Sequence, residues 1–428
     1  MKWAVYNLLF LIVYPLLLPG FLIRMLRRGG YAARMGDRFA LYPPALDIKS
    51  GFVWIHAVSV GEVQVAGQLM REWRKIEPEV RFCLSTTSST GWKIAEKELQ
   101  SLGGNEDILI YNPLDFPTFV KAALLRIRPR AIVLTESEIW PNFIRQAKKL
   151  NIPLFLINAR VSDRSAPRYR AARWFFGDVF KCFTRIYVQS ELDRDRLIAA
   201  GAPIDRCEVT GSFKFDVARR NLTKERELRE WVGDGRIVLG GSTWPGEDKV
   251  LLDIYREMLR ENPAQPLRLV IAPRHFEKAD EVEANIRSAG FICIRRSRSE
   301  AFKPSDGDNA VWLADTTGEL MGLYGIAELV FVGKSLCAHG SQNMIEPCLC
   351  AKPTLVGPYT ENFRPVMSDL LAAEAIVQVK NAEELKVRML DFARNPEAGR
   401  ELGGRAAEAV ERRQGVVPKC VEGIRKAL

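Results

Sequence analysis

The sequence of 428 residues is poor in features that mark several protein classes. It has three histidines, His56, His275 and His339, which lie too far apart along the chain to suggest a zinc site. Its eight cysteines form no C-x-x-C pair, a pattern that indicates reduced, structural thiols in a cytosolic compartment. No low-complexity tract or short-period repeat occurs. We therefore expect a globular chain of two or three domains.

Two nucleotide-binding motifs are also missing. No G-x-G-x-x-G follows a predicted strand, so a nicotinamide or flavin cofactor has no support. Residues 241–246 have the glycine spacing of a P-loop, but Glu247 and Asp248 stand where a lysine and a serine or threonine are required. The sequence therefore argues against an ATPase, although we expect the free amides of this turn to be able to hold one phosphate.

Two D-x-D pairs are weak candidates for a divalent metal ion. Asp193 and Asp195 lie in a predicted helix, where side chains two residues apart diverge. Asp306 and Asp308 lie in a polar loop. We favour neither pair as a metal site.

Positive charge exceeds negative charge in this chain. Lys and Arg number 62 and Asp and Glu 52, which gives a formal net charge of +10. This balance favours an acidic partner such as nucleic acid, anionic lipid or a phosphorylated substrate. No RRM, KH or helix-turn-helix signature is present, so we expect no nucleic-acid partner.

The amino terminus carries a long uncharged run, residues 3–23. At about 1.5 Å per residue it could cross a bilayer core of roughly 30 Å. Only Lys2 precedes it, whereas five arginines follow, so the positive-inside rule places the rest of the chain in the cytoplasm. These are Arg24, Arg27, Arg28, Arg34 and Arg38. We predict a membrane anchor over residues 1–30. Pro15, Pro19 and Gly20 weaken a spanning helix, so an interfacial helix or a buried core helix is an alternative. A secretory signal peptide fits the run less well than an anchor does.

Beyond residue 50, short apolar runs alternate with helical-period segments, which predicts an α/β fold with two doubly wound parallel sheets. The first series of predicted strands is 52–57, 81–85, 107–111, 131–135, 154–158, 185–189 and 207–210. The second is 237–239, 268–272, 291–294, 311–314, 329–332, 354–356 and 376–379.

These two series predict a first domain over residues 31–216 and a second over 236–428, whose last helix could pack on the first domain. The charged stretch 217–235 is predicted to be a solvated linker. Ligands of open α/β sheets bind beyond the carboxyl ends of the strands, so we expect chemistry in a cleft that two such domains face.

Candidate residues of the first domain follow three predicted strands. Glu62 opens a helix after a buried strand, and it is either a general base for an acceptor hydroxyl or an acid stabilised by the helix dipole. Glu136 and Glu138 follow the fourth strand. They are either reactive acids or exposed acids that cap the next helix. Lys214, between two phenylalanines, either neutralises a phosphate leaving group or covers apolar surface with its stem.

Candidate residues of the second domain also follow predicted strands. Arg274 offers a fork to a phosphate, Asn343 and nearby amides form a helix amino terminus, and Glu346 could accept from ribose hydroxyls. The segment from Asp315 to Glu319 joins another strand to a helix. Together these residues predict a nucleotide site.

Several motifs, in this order, resemble the family of 3-deoxy-D-manno-octulosonic acid (Kdo) transferases, which add Kdo to the lipid A precursor at the cytoplasmic face of the inner membrane. The resemblance covers nearly the whole chain. Its motifs are the amino-terminal apolar segment and residues 34–38 (RMGDR), 59–62 (SVGE), 136–142 (ESEIWPN), 158–160 (NAR), 211–216 (GSFKFD), 273–275 (PRH), 318–321 (GELM) and 343–347 (NMIEP).

The resemblance implies a GT-B glycosyltransferase with a first domain for the acceptor and a second for the donor CMP-Kdo. It also implies inversion at the anomeric carbon, no bound metal and work at the anionic inner membrane. By motif, Glu62 matches the catalytic base, and Glu136 and Lys214 match transition-state stabilisers. The positions that match those holding CMP are Pro273, Arg274, Thr317, Gly318, Glu319, Asn343, Met344, Ile345 and Glu346.

The chain departs from the family pattern in one loop. The family usually reads G-G-H-N where this chain has residues 340–343 (GSQN), and Lys334 replaces a usual glycine. Other readings stay open: a GT-B transferase that uses a UDP-sugar and another lipid acceptor, a membrane-tethered nucleic-acid-binding protein, or a sugar-nucleotide epimerase of the same design.

Overall fold

The computed structural model describes residues 2–8, 10–13, 16, 20, 32–43, 46, 48–103, 106–216, 221–261, 265–298 and 309–428. The chain forms two compact units. Domain 1 comprises Met1–Asp216 and Gly415–Leu428, and domain 2 comprises Val217–Gln414.

Domain 1 is built on a parallel sheet of seven strands in the order β3-β2-β1-β4-β5-β6-β7. The strands are β1 (Val53–His56), β2 (Phe82–Thr86), β3 (Ile108–Tyr111), β4 (Ala131–Thr135), β5 (Leu154–Ala159), β6 (Arg185–Val188) and β7 (Cys207–Val209). Almost every residue of β1, β2, β4 and β5 is buried, because helices cover both faces of the sheet.

The helices of domain 1 alternate with these strands. They are α1 (Val60–Ile76), α2 (Ser89–Leu102), α3 (Pro117–Ile127), α4 (Pro141–Lys149), α5 (Ala166–Ala171), α6 (Arg173–Phe180) and α7 (Glu191–Ala199). Two apolar clusters fill the two faces of the sheet, one around Trp54 and Phe143 and the other around Trp73 and Phe82.

Domain 2 has a second parallel sheet of seven strands, in the order β10-β11-β9-β8-β12-β13-β14. Its strands are β8 (Arg236–Thr243), β9 (Leu267–Pro273), β10 (Ile292–Arg295), β11 (Ala310–Leu313), β12 (Leu329–Val332), β13 (Thr354–Val356) and β14 (Val377–Gln378). All fourteen predicted strands therefore occur, and the doubly wound α/β class is confirmed.

The predicted linker is largely helical. Helix α8 (Leu222–Val232) buries Leu228, Trp231 and Val232 within domain 2, so the expectation of a solvated linker was wrong for this stretch. The signal was weak because five consecutive polar or charged residues separate Leu222 from the next apolar residue, Leu228. The other helices of domain 2 are α9 (Glu247–Arg260), α10 (Ala279–Ser288), α11 (Leu320–Ile326), α12 (Ile345–Leu349), α13 (Arg364–Ala372), α14 (Ala382–Arg394) and α15 (Pro396–Glu411).

The last helix, α16 (Val416–Lys426), belongs to domain 1. Its Val417, Cys420 and Val421 pack into one of the two apolar clusters of that domain. Asp216 accepts hydrogen bonds from the amides of Gly415 and Val417 at 2.7 and 2.6 Å, so the aspartate of the 211–216 motif caps this helix.

Residues 2–8 and 10–13 are helical and contact domain 1. The rings of Trp3 and Tyr6 lie 5.3 and 5.4 Å from that of Phe175, and the Tyr6 hydroxyl donates to Asp115 at 2.9 Å. Within the described residues, no helix has the length and apolar content needed to cross a membrane. Much of the predicted anchor, including Arg24, Arg27 and Arg28, lies outside the described residues.

Two of the five arginines that follow the apolar run are used inside domain 1. Arg34 pairs with the buried Asp37, and Arg38 donates to the carbonyl of Thr87 at 2.7 Å. Asp37 also accepts from the amide of Tyr111, so this motif fastens the segment to the sheet.

Candidate active site

Three adjacent strands of domain 1 carry two of the predicted catalytic residues, Glu62 and Glu136, and their hydrogen-bond partners at their carboxyl ends. Strand β4 lies between β1 and β5, and all three run parallel. Glu62 follows β1, Glu136 follows β4, Asn158 is the penultimate residue of β5, and Arg160 follows that strand. Because parallel strands end at one edge of a sheet, residues far apart in sequence meet there.

Glu62 lies in the first turn of α1 and is 7% exposed. Its Oε1 accepts from the Ser59 hydroxyl at 2.8 Å. Its Oε2 accepts from the Val58 amide at 2.9 Å and from the Thr135 hydroxyl at 3.2 Å. The carboxylate therefore helps to cap the helix and also lies among the acids at the sheet edge, so both readings of the sequence keep a structural basis.

Glu136 adopts a left-handed backbone conformation, with φ of 51°. A residue with a Cβ in such a conformation costs of order 1–3 kcal/mol, a strain often found at functional sites. The Arg160 guanidinium donates to Glu136 Oε2 at 2.7 Å and the Asn158 amide to Oε1 at 3.4 Å. Burial raises the pKa of Glu136, with Glu62 adding to the rise and Arg160 and Lys214 opposing it.

Lys214 lies in the short 3-10 helix Phe213–Phe215, whose start is fastened to β5. The Phe213 amide donates to the Asn158 side-chain oxygen at 3.1 Å. Burial lowers the pKa of Lys214, and the negative charge of Glu136 opposes that shift. The structure thus brings Glu62, Glu136 and Lys214 into one group of interacting charges.

Glu138, the second candidate acid after β4, and His56 lie beside this group. Burial, with a smaller effect of Glu62, raises the pKa of Glu138 to about 7, although the Trp140 indole donates to it at 2.9 Å. His56 Nε2 lies 3.9 Å from Glu138 Oε2. The fully buried His56 has a pKa of about 3, so its ring is neutral. The sequence showed Glu138 as an acid after a strand, but nothing in it indicated the histidine contact.

The second predicted group lies in domain 2. Its central strand β8 has β9 on one side and β12 on the other, so the chain reverses its winding direction at β8. Such a switch point is the usual ligand crevice of a doubly wound sheet. Arg274 follows β9, Glu319 lies beyond β11, and Asn343 and Glu346 lie in the segment after β12.

Asn343 and Glu346 form a local pair. The Asn343 amide nitrogen donates to Glu346 Oε1 at 3.0 Å, while its oxygen accepts from the Ile345 amide at 3.1 Å. Burial raises the pKa of Glu346, and the nearby positive charge of Arg274 opposes the rise. Met344 and Ile345 are fully buried, so only their main chains could reach a ligand.

Glu319 is held by its own domain. It pairs with Arg296 at 3.0 Å and with Lys224 of α8 at 3.2 Å, and it accepts from Thr316. These hydrogen bonds outweigh the effect of burial and keep the pKa of Glu319 below its usual range. Its carboxylate fastens the turn in which Thr317 and Gly318 are exposed.

The P-loop-like turn does not present the amides that the sequence suggested. The fully buried Glu247 accepts from the amides of Trp244, Lys334, Ser335 and Leu336 at 2.7–3.1 Å. The Gly246 amide donates to Asp248 at 3.1 Å. The expected phosphate site at this turn was therefore wrong, because the protein's own carboxylates occupy these amides.

The D-x-D pairs form no metal site within the described residues. Asp193 accepts from the Val161 amide at 2.8 Å and from the Ser190 hydroxyl at 2.5 Å, so it is a structural cap. Asp306 and Asp308 lie outside the described residues. No cluster of three metal-ligating side chains occurs in the described ranges.

Two parallel-sheet, Rossmann-like domains with polar side chains at their carboxyl edges form the GT-B fold. Solved structures agree on this fold. The chain matches a glycosyltransferase from Rickettsia africae with a TM-score of 0.56 at 12% identity, covering 89% of this chain and 99% of that one. It matches a UDP-GlcNAc 2-epimerase from Neisseria meningitidis with a TM-score of 0.57 at 13% identity, covering 86% and 99%.

Sequence comparison distinguishes among proteins of this fold. The family model described as 3-deoxy-D-manno-octulosonic-acid transferase matches residues 33–217. A 3-deoxy-D-manno-octulosonic acid transferase from Haemophilus influenzae is 30% identical, covering 97% of this chain and 96% of that protein. One from Bordetella pertussis is 33% identical, covering 88% and 90%. The chain belongs to the Kdo transferase family and is a glycosyltransferase of lipopolysaccharide core biosynthesis.

The raised pKa of Glu138 predicts a pH-dependent stability. The folded state binds the Glu138 proton more tightly than the unfolded chain does, so stability should fall as the pH rises from about 5 to 8. Glu138→Gln removes this titration and can still accept from Trp140. At pH 8 we expect the variant to gain of order 1–3 kcal/mol in free energy of unfolding relative to wild type.

Urea denaturation at pH 5.5 and 8 measures this difference. Glu79→Gln, which changes an exposed acid of the same domain, is the matched control and should keep the wild-type pH dependence. Equal pH dependence in wild type and Glu138→Gln would contradict the assignment.

Proposed function

We propose that this chain transfers Kdo from CMP-Kdo to the lipid A precursor, with inversion at the anomeric carbon. The group formed by Glu62, Glu136 and Lys214 carries the proposal, because it combines an oriented carboxylate with a half-buried cation at one sheet edge. Domain 1 binds the acceptor and domain 2 binds the donor in this account.

Glu62 acts as the general base. A carboxylate offers about four lone-pair directions, and the Val58, Ser59 and Thr135 donors use three of them. One direction, on Oε1, is left for the acceptor hydroxyl. As the hydroxyl oxygen attacks the anomeric carbon, its proton passes to Glu62, and the bond to the CMP phosphate breaks.

The positive charges stabilise what develops in that step. CMP leaves with the bonding electron pair, so negative charge grows on its phosphate while the sugar becomes oxocarbenium-like. Lys214 supplies a cation for the developing negative charge, and Glu136, which interacts with Lys214, favours the cationic sugar centre. Because these side chains supply the charge, we expect the reaction to need no bound metal and its rate to be unchanged by EDTA.

Glu346 and Asn343 recognise the nucleoside part of CMP in this proposal. Glu346 would accept from ribose hydroxyls, and the positive charge of Arg274 beside it would bind the adjacent phosphate. Pro273, the main chain of Met344 and Ile345, and the exposed Thr317 and Gly318 line the same edge of the sheet.

The proposed location is the cytoplasmic side of the inner membrane. The amino-terminal helical residues pack Trp3 and Tyr6 on domain 1, while apolar side chains on the same segment are exposed. These exposed residues are Val5, Leu8, Leu11, Ile12, Val13 and Leu16, with Leu16 75% exposed. Such a face suits insertion into a lipid interface, and the net positive charge favours anionic lipid.

The catalytic assignment is tested by Glu62→Gln. The amide keeps the shape of the side chain but does not take up a proton at neutral pH, so we expect the single-turnover rate of Kdo transfer to fall about 10²-fold or more. Affinity for CMP should stay near wild type.

Ser190→Ala is the matched control, because it removes the N-cap hydrogen bond of α7 in the same domain and leaves the hydrogen bonds of Glu62 intact. We expect it to cost about 0.5–2 kcal/mol of stability with little loss of rate. If Glu62→Gln loses stability but keeps the wild-type rate, as the control does, Glu62 serves only as a helix cap.

Membrane binding is tested by replacing Leu8, Leu11 and Leu16 with serine. Each buried leucine contributes of order 1.5–3 kcal/mol, so binding to vesicles containing phosphatidylglycerol should weaken more than 10-fold. Leu222→Ser with Val387→Ser, which changes exposed apolar side chains of domain 2, should bind as wild type does. Equal binding of both variants would place the anchor elsewhere.

A further inference from the structure

Lys334 occupies a backbone position that favours glycine. It follows β12 and Gly333, and its φ is +56°, in the left-handed region where a Cβ is strained. The conformation is held on both sides, because its amide donates to Glu247 at 2.9 Å and its carbonyl accepts from the Ser341 amide at 2.8 Å. A lysine here carries a backbone cost, which points to a use for its side chain.

The ammonium of Lys334 lies against an aromatic ring at the same edge of the sheet. Its Nζ is 5.0 Å from the ring centroid of Trp244, the residue that follows β8. The Trp244 ring also contacts the ring of His275, with centroids 4.9 Å apart. A Cβ at Gly340 would lie 2.5 Å from the Asn362 side-chain nitrogen and 3.7 Å from Lys334 Nζ, so the glycine lets Asn362 approach the loop beside the ammonium. Among the described residues, no carboxylate forms an ion pair with Lys334.

This position is the switch point of the sheet. Strands β8 and β12 are neighbours, and Trp244 and Lys334 follow their respective carboxyl ends. Arg274 also lies at this edge, where its charge acts on Glu346. The edge therefore carries two separate cations, one associated with the acid assigned to ribose and one beside an aromatic ring.

We propose that Lys334 binds the carboxylate of the sugar acid in the donor, with the ring of Trp244 packing against the sugar. This assignment rests on the proposed donor CMP-Kdo, which has two anionic groups, a phosphate and the sugar carboxylate. Arg274 lies on the nucleoside side through Glu346 and takes the phosphate. Lys334 and Trp244 then remain to bind the sugar. The ammonium supplies a positive charge for the carboxylate, and the aromatic ring beside it supplies an apolar surface.

The test separates the two anionic groups of the donor. Lys334→Gly and Lys334→Gln are compared with wild type in the KM for CMP-Kdo and in the Kd for CMP by calorimetry. We expect the KM to rise roughly 10- to 100-fold, as for loss of a charged hydrogen bond, while the Kd for CMP changes less than threefold. Lys334→Arg should retain most of the donor affinity.

Three further variants and measurements guard against indirect effects. Lys334→Gly should melt at or above the wild-type temperature, because glycine relieves the left-handed strain. Lys249→Gln removes one exposed charge from α9 and should leave both constants unchanged. Arg274→Ala should instead raise the Kd for CMP.

Each outcome decides the assignment. A parallel rise in the Kd for CMP and the KM for CMP-Kdo would place Lys334 on the phosphate and overturn the assignment to the carboxylate. If the wild type is active and the Lys334 variants keep its KM for CMP-Kdo and its Kd for CMP, Lys334 does not belong to the donor site. A wild-type protein that neither binds CMP nor transfers Kdo would overturn the proposed function and this assignment with it.

Discussion

The side chain of Asn158 joins two parts of the candidate site in domain 1. Its nitrogen donates to Glu136 and its oxygen accepts from the amide of Phe213, next to Lys214. Asn158, like Glu136, has a left-handed backbone, with φ of 51°. One amide near the end of β5 therefore contacts both the acid and the segment that carries the cation, and Arg160 holds the same acid from its other oxygen.

In both domains, buried carboxylates accept hydrogen bonds from backbone amides and so hold loops in place. Glu247 gathers the amides of the segment after β12, and Asp115 accepts from the amides of Asn142 and Phe143 at 3.0 and 2.8 Å. Burial raises the pKa of Asp115 to about 6 despite these bonds. Since Tyr6 also donates to Asp115, this carboxylate links the amino-terminal segment to the start of α4. Loops at both sheet edges are therefore fixed by buried acids.

The strands were predictable because parallel strands covered on both faces are continuous apolar runs, as in β4 and β12. The same rule placed Glu62, Glu136 and Lys214 at one edge before their contacts were known. Helix α8 was missed because its charged residues conceal a sparse apolar face. The amides bound by Glu247 could not be foreseen, since the sequence does not show which carboxylate turns back onto its own loop.

Some site features depend on contacts that no linear pattern encodes. The closeness of His56 to Glu138 arises from the pairing of β1 with β4 and from the turn after β4. The departure at Lys334 was visible in the sequence, but its left-handed backbone and its contact with Trp244 were not. Motif likeness therefore predicted candidate residues, whereas the contacts that hold them came from the structure.

We propose above that this chain moves Kdo from CMP-Kdo onto the lipid A precursor. Incubation of the purified full-length protein with both substrates, followed by mass spectrometry of the lipid, tests it most directly. We expect a lipid heavier by one or more Kdo residues, formed with CMP-Kdo and not with UDP-sugars. A lipid of unchanged mass, or one that gains a sugar from a UDP donor instead, would contradict it.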